Sequence, residues 1–251
     1  MFEILLIPAF KDNYIWLLVR DGRAAVVDPG DAAPVIARLE ALQLQLETIL
    51  ITHHHADHQG GVGELVERWQ PRVFAPAAES ITGCSDPLLG GETIDVLGQP
   101  VAVLPVGGHT RAHLAYYVSG ALFCGDTLFG AGCGRLFEGT PAQMCDSLAR
   151  IAALPDATRI YCAHEYTEVN LRFAVAVEPD NAALRERVER VARVRAAGLP
   201  SVPSTLREEK DTNPFLRCAA PAVISAAQAH GADGTSLVPV FAAIRGWRNS
   251  F

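Results

Sequence analysis

The stretch Glu47-Thr48-Ile49-Leu50-Ile51-Thr52-His53-His54-His55-Ala56-Asp57-His58 decides how this chain is read. Its first half is a run of apolar and β-branched residues, the pattern of a buried strand. Its second half sets four imidazoles and a carboxylate at the end of that strand. Neutral imidazole nitrogen and carboxylate oxygen suit zinc, iron or manganese, and in extended chain His53 and His55 face the same side. His54, between them, faces the other way. Asp57 and His58 follow at the start of a segment, Gly60 to Trp69, that reads as a helix. The run holds more ligands than one ion uses, so two metals are expected. A histidine tract can also be a solvated polar loop, but this one is internal, interrupted, and flanked by strand and helix.

Three further polar groups sit where apolar runs stop. Gly107-Gly108-His109-Thr110 follows Val101 to Leu104, Gly125-Asp126-Thr127 follows Ala121 to Cys124, and Ala163-His164-Glu165 follows Arg159 to Cys162. Alone, each is a turn or a hydrogen-bonded core residue. Repeated at successive strand ends, they form the edge where a sheet scaffold presents reactive groups. His53 and His55 can share one ion with His109, Asp57 and His58 a second with His164, and Asp126 can bridge the two. Two cations about 3.5–4 Å apart activate water at neutral pH and polarise a carbonyl oxygen. The chemistry expected is hydrolysis of an ester, thioester, amide or phosphate ester, with no nucleophilic Ser or Cys required.

At 251 residues and 49% hydrophobic, the chain can bury a substantial core without staples. The 6 cysteines show no C-x-x-C spacing, and the N-terminal segment lacks a signal-peptide pattern, so reduced thiols in a cytoplasmic enzyme are expected. Every apolar stretch is interrupted by Pro, Gly or charge before the roughly 18 residues a membrane span needs. A net charge of -7 argues against binding nucleic acid through phosphates. The expected partner is a small molecule, and the expected state a monomer.

Short strands alternate with helices over the first two thirds, which predicts an α/β layer structure. Pro34 to Leu44 reads as a helix behind an Asp31 cap, and Thr140-Pro141-Ala142-Gln143 opens another with a capping-box pattern. After about Glu165 the strand signal vanishes. Asn181 can cap a helix through Leu184, Val188 and Val191, and Pro221 to His230 and Leu237 to Arg248 also read helical. The expected organisation is a catalytic domain, 1–165, followed by a helical domain, 166–251.

Taken together, the T-H-x-H-x-D-H run, Gly108-His109-Thr110, Gly125-Asp126-Thr127 and His164-Glu165-Tyr166 resemble the motifs of the metallo-β-lactamase superfamily. Further segments resemble its hydroxyacylglutathione hydrolase, or glyoxalase II, family. They are Asp12-Asn13-Tyr14, Val27-Asp28-Pro29-Gly30, Gly132 to Gly139, His164 to Thr167 and Lys210 to Arg217. The last is the most specific. The resemblance implies a four-layer αββα sandwich with a C-terminal helical domain, and a dinuclear centre on His53, His55, Asp57, His58, His109, Asp126 and His164. It implies zinc as the metal, with iron or manganese as alternatives, and catalytic roles for Asp57 and Asp126 around a bridging hydroxide. S-D-lactoylglutathione is the implied substrate, cleaved to glutathione and D-lactate in the second step of methylglyoxal detoxification. By the same carry-over Arg135, Phe137, Tyr166, Arg207 and Lys210 line the glutathione site. Asp28, after a strand, reads either as a turn residue or as a partner to a ligand histidine. From the residues alone, Arg207 and Lys210 read as a solvated charge run with Glu208 and Glu209. The Gly107-Gly108 loop, where relatives often carry Pro before the Gly, and Phe137, where some relatives carry Tyr, depart from the family pattern. Rival readings within the superfamily are a one-iron persulfide dioxygenase, a β-lactamase and a nuclease; outside enzymes, the rival is a non-catalytic metal-binding protein.

Overall fold

Strand β3 (Arg23–Val27) is buried from Ala24 onward, and in the computed structural model, which describes residues 2–251, it lies with β4 (Gln45–Leu50) at the centre of a sheet. The chain divides into two compact units. One runs up to Pro105 and takes in Ala112–Gly125; the other is Val106–Arg111 with Asp126–Phe251.

The first unit opens with β1 (Glu3–Ala9) and β2 (Asn13–Arg20) and continues through β3, α1 (Ala32–Ala41) and β4. There follow α2 (Ala56–Gln59), α3 (Val62–Trp69), β5 (Arg72–Pro76) and β6 (Asp86–Leu88). Its main sheet runs β1-β2-β3-β4-β5-β6. The first three strands are antiparallel, with Leu5 opposite Leu17 and Leu17 opposite Val26, and β3 to β6 are parallel. Parallel neighbours need crossover connections, which α1 and α3 supply. Both helices put Val35, Leu39, Val62 and Leu65 into one core with Ile49, Ile51 and Val73. Each such side chain contributes about 1.5–3 kcal/mol by leaving water. Asp31 caps α1 by accepting from the Ala33 N–H, so the helix starts earlier than the Pro34 expected. β7 (Thr93–Val96), β8 (Gln99–Pro105), β9 (Leu114–Val118) and β10 (Ala121–Gly125) form an antiparallel meander.

The second unit contains the hairpin β11 (Leu128–Phe129) and β12 (Gly132–Cys133), then α4 (Pro141–Ala152), β13 (Arg159–Cys162), α5 (Thr167–Val177) and α6 (Ala182–Ala196). It ends with β14 (Ser204–Thr205), α7 (Leu206–Thr212), α8 (Pro221–Ala229) and α9 (Leu237–Ser250). The capping box at Thr140 and Gln143 and the Asn181 cap are both present. The sequence expectation of no strand after Glu165 is corrected by β14, a two-residue strand paired antiparallel with β13. It is too short for a periodic signal, and its partner supplies the hydrogen bonds that define it. Among the described residues no helix is long and apolar enough to cross a membrane.

Candidate active site

The ligand run leaves β4 in extended chain and then turns into α2, so Asp57 and His58 stand on a short helix rather than ahead of a longer one. The helix expected over Gly60 to Trp69 is broken at its start, because the Gly61 N–H turns to Pro29 O at 2.9 Å. Gly30, in the same turn, has to be glycine: a Cβ there would lie 1.9 Å from Asp57 O.

One carboxylate orders this half of the site. Asp28, buried and in the left-handed region at φ 52, accepts the Thr52 N–H at Oδ1 (2.8 Å). Its Oδ2 takes the Thr52 hydroxyl at 2.8 Å and faces His58 Nδ1 at 3.0 Å. A carboxylate only accepts, so the Thr52 proton is committed to Asp28, and Thr52 Oγ1 accepts in turn from His53 Nδ1, 3.0 Å away. Both imidazoles thus carry their proton on Nδ1 and keep the Nε2 lone pair for a metal, the tautomer being assigned from this network. His53 Nε2 lies 3.0 Å from His55 Nδ1, and His58 Nε2 lies 3.5 Å from Asp57 Oδ2. Asn13 donates to Asp57 Oδ2 at 2.9 Å and fixes that carboxylate. His54 points away, as strand alternation predicts, with both its N–H and Nδ1 on Glu79 Oε2. His113 is buried and stacks on His53, with centroids 4.7 Å apart.

The second unit brings the other ligands together around Asp126. Its Oδ2 lies 3.4 Å from His109 Nε2 and its Oδ1 3.4 Å from His164 Nε2, so each oxygen addresses a different imidazole. That is the disposition of a bridging carboxylate. His109 Nδ1 donates to Arg135 O at 2.8 Å, which again leaves Nε2 as the ligand atom. Gly134 packs directly on this turn: a Cβ would lie 1.9 Å from Asp126 O.

Three ligand sets can each hold an ion: His53, His55 and His109; His53, His58 and Asp126; Asp57, His58 and His164. All seven expected ligands belong to them, and every donor is imidazole nitrogen or carboxylate oxygen. This His/Asp cluster fits a dinuclear site for divalent cations of the zinc, iron and manganese group. The cysteines take no part. Burial pushes the Cys162 thiol up to about 12 and the Cys133 thiol to about 11, which keeps both protonated.

Beside His164 the second unit opens a cavity of about 280 Å³, lined among others by Phe129, Arg135, Tyr166, Asn170, Arg245 and Arg248. Tyr166 stacks on His164 at 4.7 Å and 6°, and Phe129 meets Tyr166 edge-on at 5.2 Å. Phe137 is largely exposed and sets its ring edge to His109 at 5.3 Å. Arg245 is buried; it donates to Cys133 O at 3.0 Å and to Asn249 Oδ1 at 2.8 Å. Its Nε has no hydrogen-bond partner among the described residues. Burial, with Arg245 and Arg172 nearby, lowers the Arg248 pKa below the ordinary guanidinium value. The cavity is therefore cationic and unneutralised.

Of the substrate residues expected from sequence, Arg135 and Tyr166 line this cavity, whereas Arg207 and Lys210 do not. Lys210 Nζ is on Asp156 Oδ1 at 2.5 Å, and Arg207 donates to Asp211 at 2.9 Å and lies 3.7 Å from Asp156. Arg245 and Arg248, not foreseen, stand in the cavity. A signal was there: Phe241, Arg245 and Arg248 fall at i, i+4 and i+7, on one stripe of α9.

Fold and donor set define a member of the metallo-β-lactamase superfamily, whose model matches residues 10–164. The model for the hydroxyacylglutathione hydrolase C-terminus matches residues 165–251. The hydroxyacylglutathione hydrolase of Dechloromonas aromatica (strain RCB) is 68% identical, and that of Methylobacillus flagellatus 55%, over 100% of both chains in each case. The chain belongs to the hydroxyacylglutathione hydrolase family. Among solved structures, ETHE1 from Myxococcus xanthus shares the fold with TM-score 0.68 at 23% identity, covering 100% of this chain and 99% of its own. TTHA1623 in a di-iron-bound form aligns with TM-score 0.54 at 27% identity, over 64% of this chain and 91% of its own.

Proposed function

We propose that the chain hydrolyses 2-hydroxyacyl glutathione thioesters, S-D-lactoylglutathione first among them, to glutathione and the hydroxy acid. On this reading it acts as a cytoplasmic monomer in the second step of methylglyoxal detoxification. The observation that carries the reading is the cationic cavity walled by Tyr166, which stacks on the ligand His164. A thioester held there by its peptide end has its reacting carbonyl beside the metal ligands.

Two divalent ions, zinc foremost, supply when bound an activated water and polarisation of the thioester carbonyl. The chain's residues prepare for that. Asp28 and Thr52 hold protons on the Nδ1 atoms of His53 and His58, Arg135 O does so for His109, and Asn13 fixes Asp57. Asp57 and Asp126 supply the carboxylate ligands. Arg245 and Arg248 take the glutathione carboxylates, each charge-assisted contact contributing about 1.5–3 kcal/mol. An anion also offsets the burial, and the repulsion from Arg245 and Arg172, that lower the Arg248 pKa. Arg207 and Lys210 are already committed to Asp211 and Asp156, which supports reading them as a surface ion-pair cluster.

The test is thioester cleavage with variants of both arginine sets. Arg248→Ala is expected to raise KM for S-lactoylglutathione about 10–150-fold with kcat little changed, because a binding contact remote from the reacting bond is lost. Arg207→Ala and Lys210→Ala are expected to leave KM as it is. The reverse pattern refutes the pocket assignment, and oxygen uptake in place of thioester cleavage refutes the activity.

A further inference from the structure

The segment most specific to the family, Lys210 to Arg217 with the glutamate before it, holds no residue that lines the cationic cavity. Lys210 and Asp211 pair at the surface, with Asp156 and Arg207, whereas Glu209, Thr212 and Asn213 are buried. Glu209, on α7, is fully buried. Its Oε2 accepts the Ala131 N–H at 2.8 Å and Asn213 Nδ2 at 3.1 Å, and its Oε1 is held by Arg187, which also donates to Thr212 Oγ1 at 2.6 Å. Asn213 Nδ2 reaches two carbonyls of the same hairpin, Gly132 O at 2.9 Å and Phe129 O at 3.3 Å.

Three of these bonds hold Gly130-Ala131, the two-residue turn between β11 and β12: Glu209 on the Ala131 N–H, and Asn213 on the carbonyls of Phe129 and Gly132 that flank it. Ala131 is left-handed at φ 54, a conformation that a residue with a Cβ holds only when its surroundings impose it. Its N–H points into the protein, where only an acceptor from elsewhere in the chain can meet it. The hairpin is in turn the wall of the cavity. Phe129 and Cys133 line it, Cys133 O anchors the buried Arg245, and Arg135 O, two residues on, fixes the tautomer of His109. A slip of the turn is therefore felt first at the cationic end, because Cys133 belongs to the hairpin itself whereas Arg135 lies beyond it.

We infer that Glu209 is a positioning residue for the glutathione pocket: without touching the substrate, its buried carboxylate clamps the Gly130-Ala131 turn and so sets the wall from Phe129 to Arg135. The inference rests on the proposed thioesterase reading, and its test separates the two. Glu209→Gln keeps the size and one acceptor oxygen but withdraws the charge shared by Arg187, Asn213 and Ala131. The expected result is a folded, metal-loaded protein whose KM for S-lactoylglutathione rises about tenfold or more with kcat nearly unchanged. An S-lactoyl thioester of N-acetylcysteamine, which has no peptide to hold, should change KM little, and the Ala131 amide should exchange with deuterium about tenfold faster or more. A lower Tm with KM and Ala131 exchange as in the parent protein overturns the proposal and makes Glu209 merely structural. If Glu209→Gln fails to fold because Arg187 loses its counterion, Asn213→Ala preserves that pair and carries the same expectation. A third measurement needs no variant: saturating glutathione should slow exchange of the 129–135 amides in the parent protein, and no change there also overturns the proposal. Failure of the parent protein to cleave S-lactoylglutathione at all would instead sink the thioesterase reading, whatever the exchange data show.

Discussion

Replacing Asp28 by Asn isolates the proton arrangement on which two ligand histidines depend. Asparagine is nearly isosteric and tolerates the left-handed backbone at φ 52, so neither packing nor strain changes appreciably. Its carbonyl can still accept the Thr52 N–H, but the amide now faces Thr52 Oγ1 and His58 Nδ1 as a donor where Asp28 Oδ2 accepted. His58 must then accept at Nδ1, which moves its proton to Nε2 and blocks the ligand atom; the Thr52 hydroxyl no longer commits His53 to the useful tautomer. Two hydrogen bonds to a charged group, about 1.5–3 kcal/mol each, become neutral ones of about 0.5–1.5 kcal/mol. The expected cost is roughly 2–3 kcal/mol. Because loss of such an outer contact typically weakens metal binding 10–100-fold, most of the cost should appear as metal affinity. Competition with a chromophoric chelator measures that affinity, and thermal unfolding of the chelated protein measures the remainder. Asp28→Asn protein that holds two ions as tightly as its parent, with equal activity, would refute the tautomer relay. Asp28→Ala should be worse by about another 1 kcal/mol, since Ala pays for positive φ as well.

Asp126→Ala removes the carboxylate whose oxygens address His109 and His164, and is expected to lower kcat by several orders of magnitude and the metal content below two ions per chain, read by elemental analysis. The Cys133 and Cys145 thiols, pushed by burial from about 9 to about 11, hold their protons more tightly folded than unfolded. Their contribution to stability is thus complete below about pH 9 and lost as pH rises towards 11, so Tm should fall over that window, and less so in Cys133→Ala.

The candidate ligand cluster was legible because its spacing carries its meaning. His53-x-His55 at a strand end faces one way whatever surrounds it, and Asp31, Thr140 and Asn181 announce their helices through contacts within three residues. The cavity proposed to take the substrate was less accessible. Arg207 and Lys210 sit in a conspicuous charged run, yet Asp156, 54 residues away from Lys210, neutralises them, and sequence spacing carries no trace of that meeting. Arg245 and Arg248 look like ordinary polar residues of an amphipathic helix unless their alignment with Phe241 is weighed. Glu209 misled for a similar reason: beside Glu208 it reads as solvated, whereas the 78 residues that separate it from Ala131 are closed by the fold.

The burial of the thiols also bears on how the protein endures its own product. On the proposed reaction each turnover releases glutathione, and any thiolate that the disulfide of that peptide reaches attacks it, is capped as a mixed disulfide and expels one glutathione thiolate. Cys133 is in the cavity wall, but it is only 5% exposed and holds its proton, so little thiolate is offered to the arriving disulfide. A pocket shaped for this peptide thus avoids being capped by it, and oxidative conditions that raise the glutathione disulfide level should leave turnover running without a reductase to restore it.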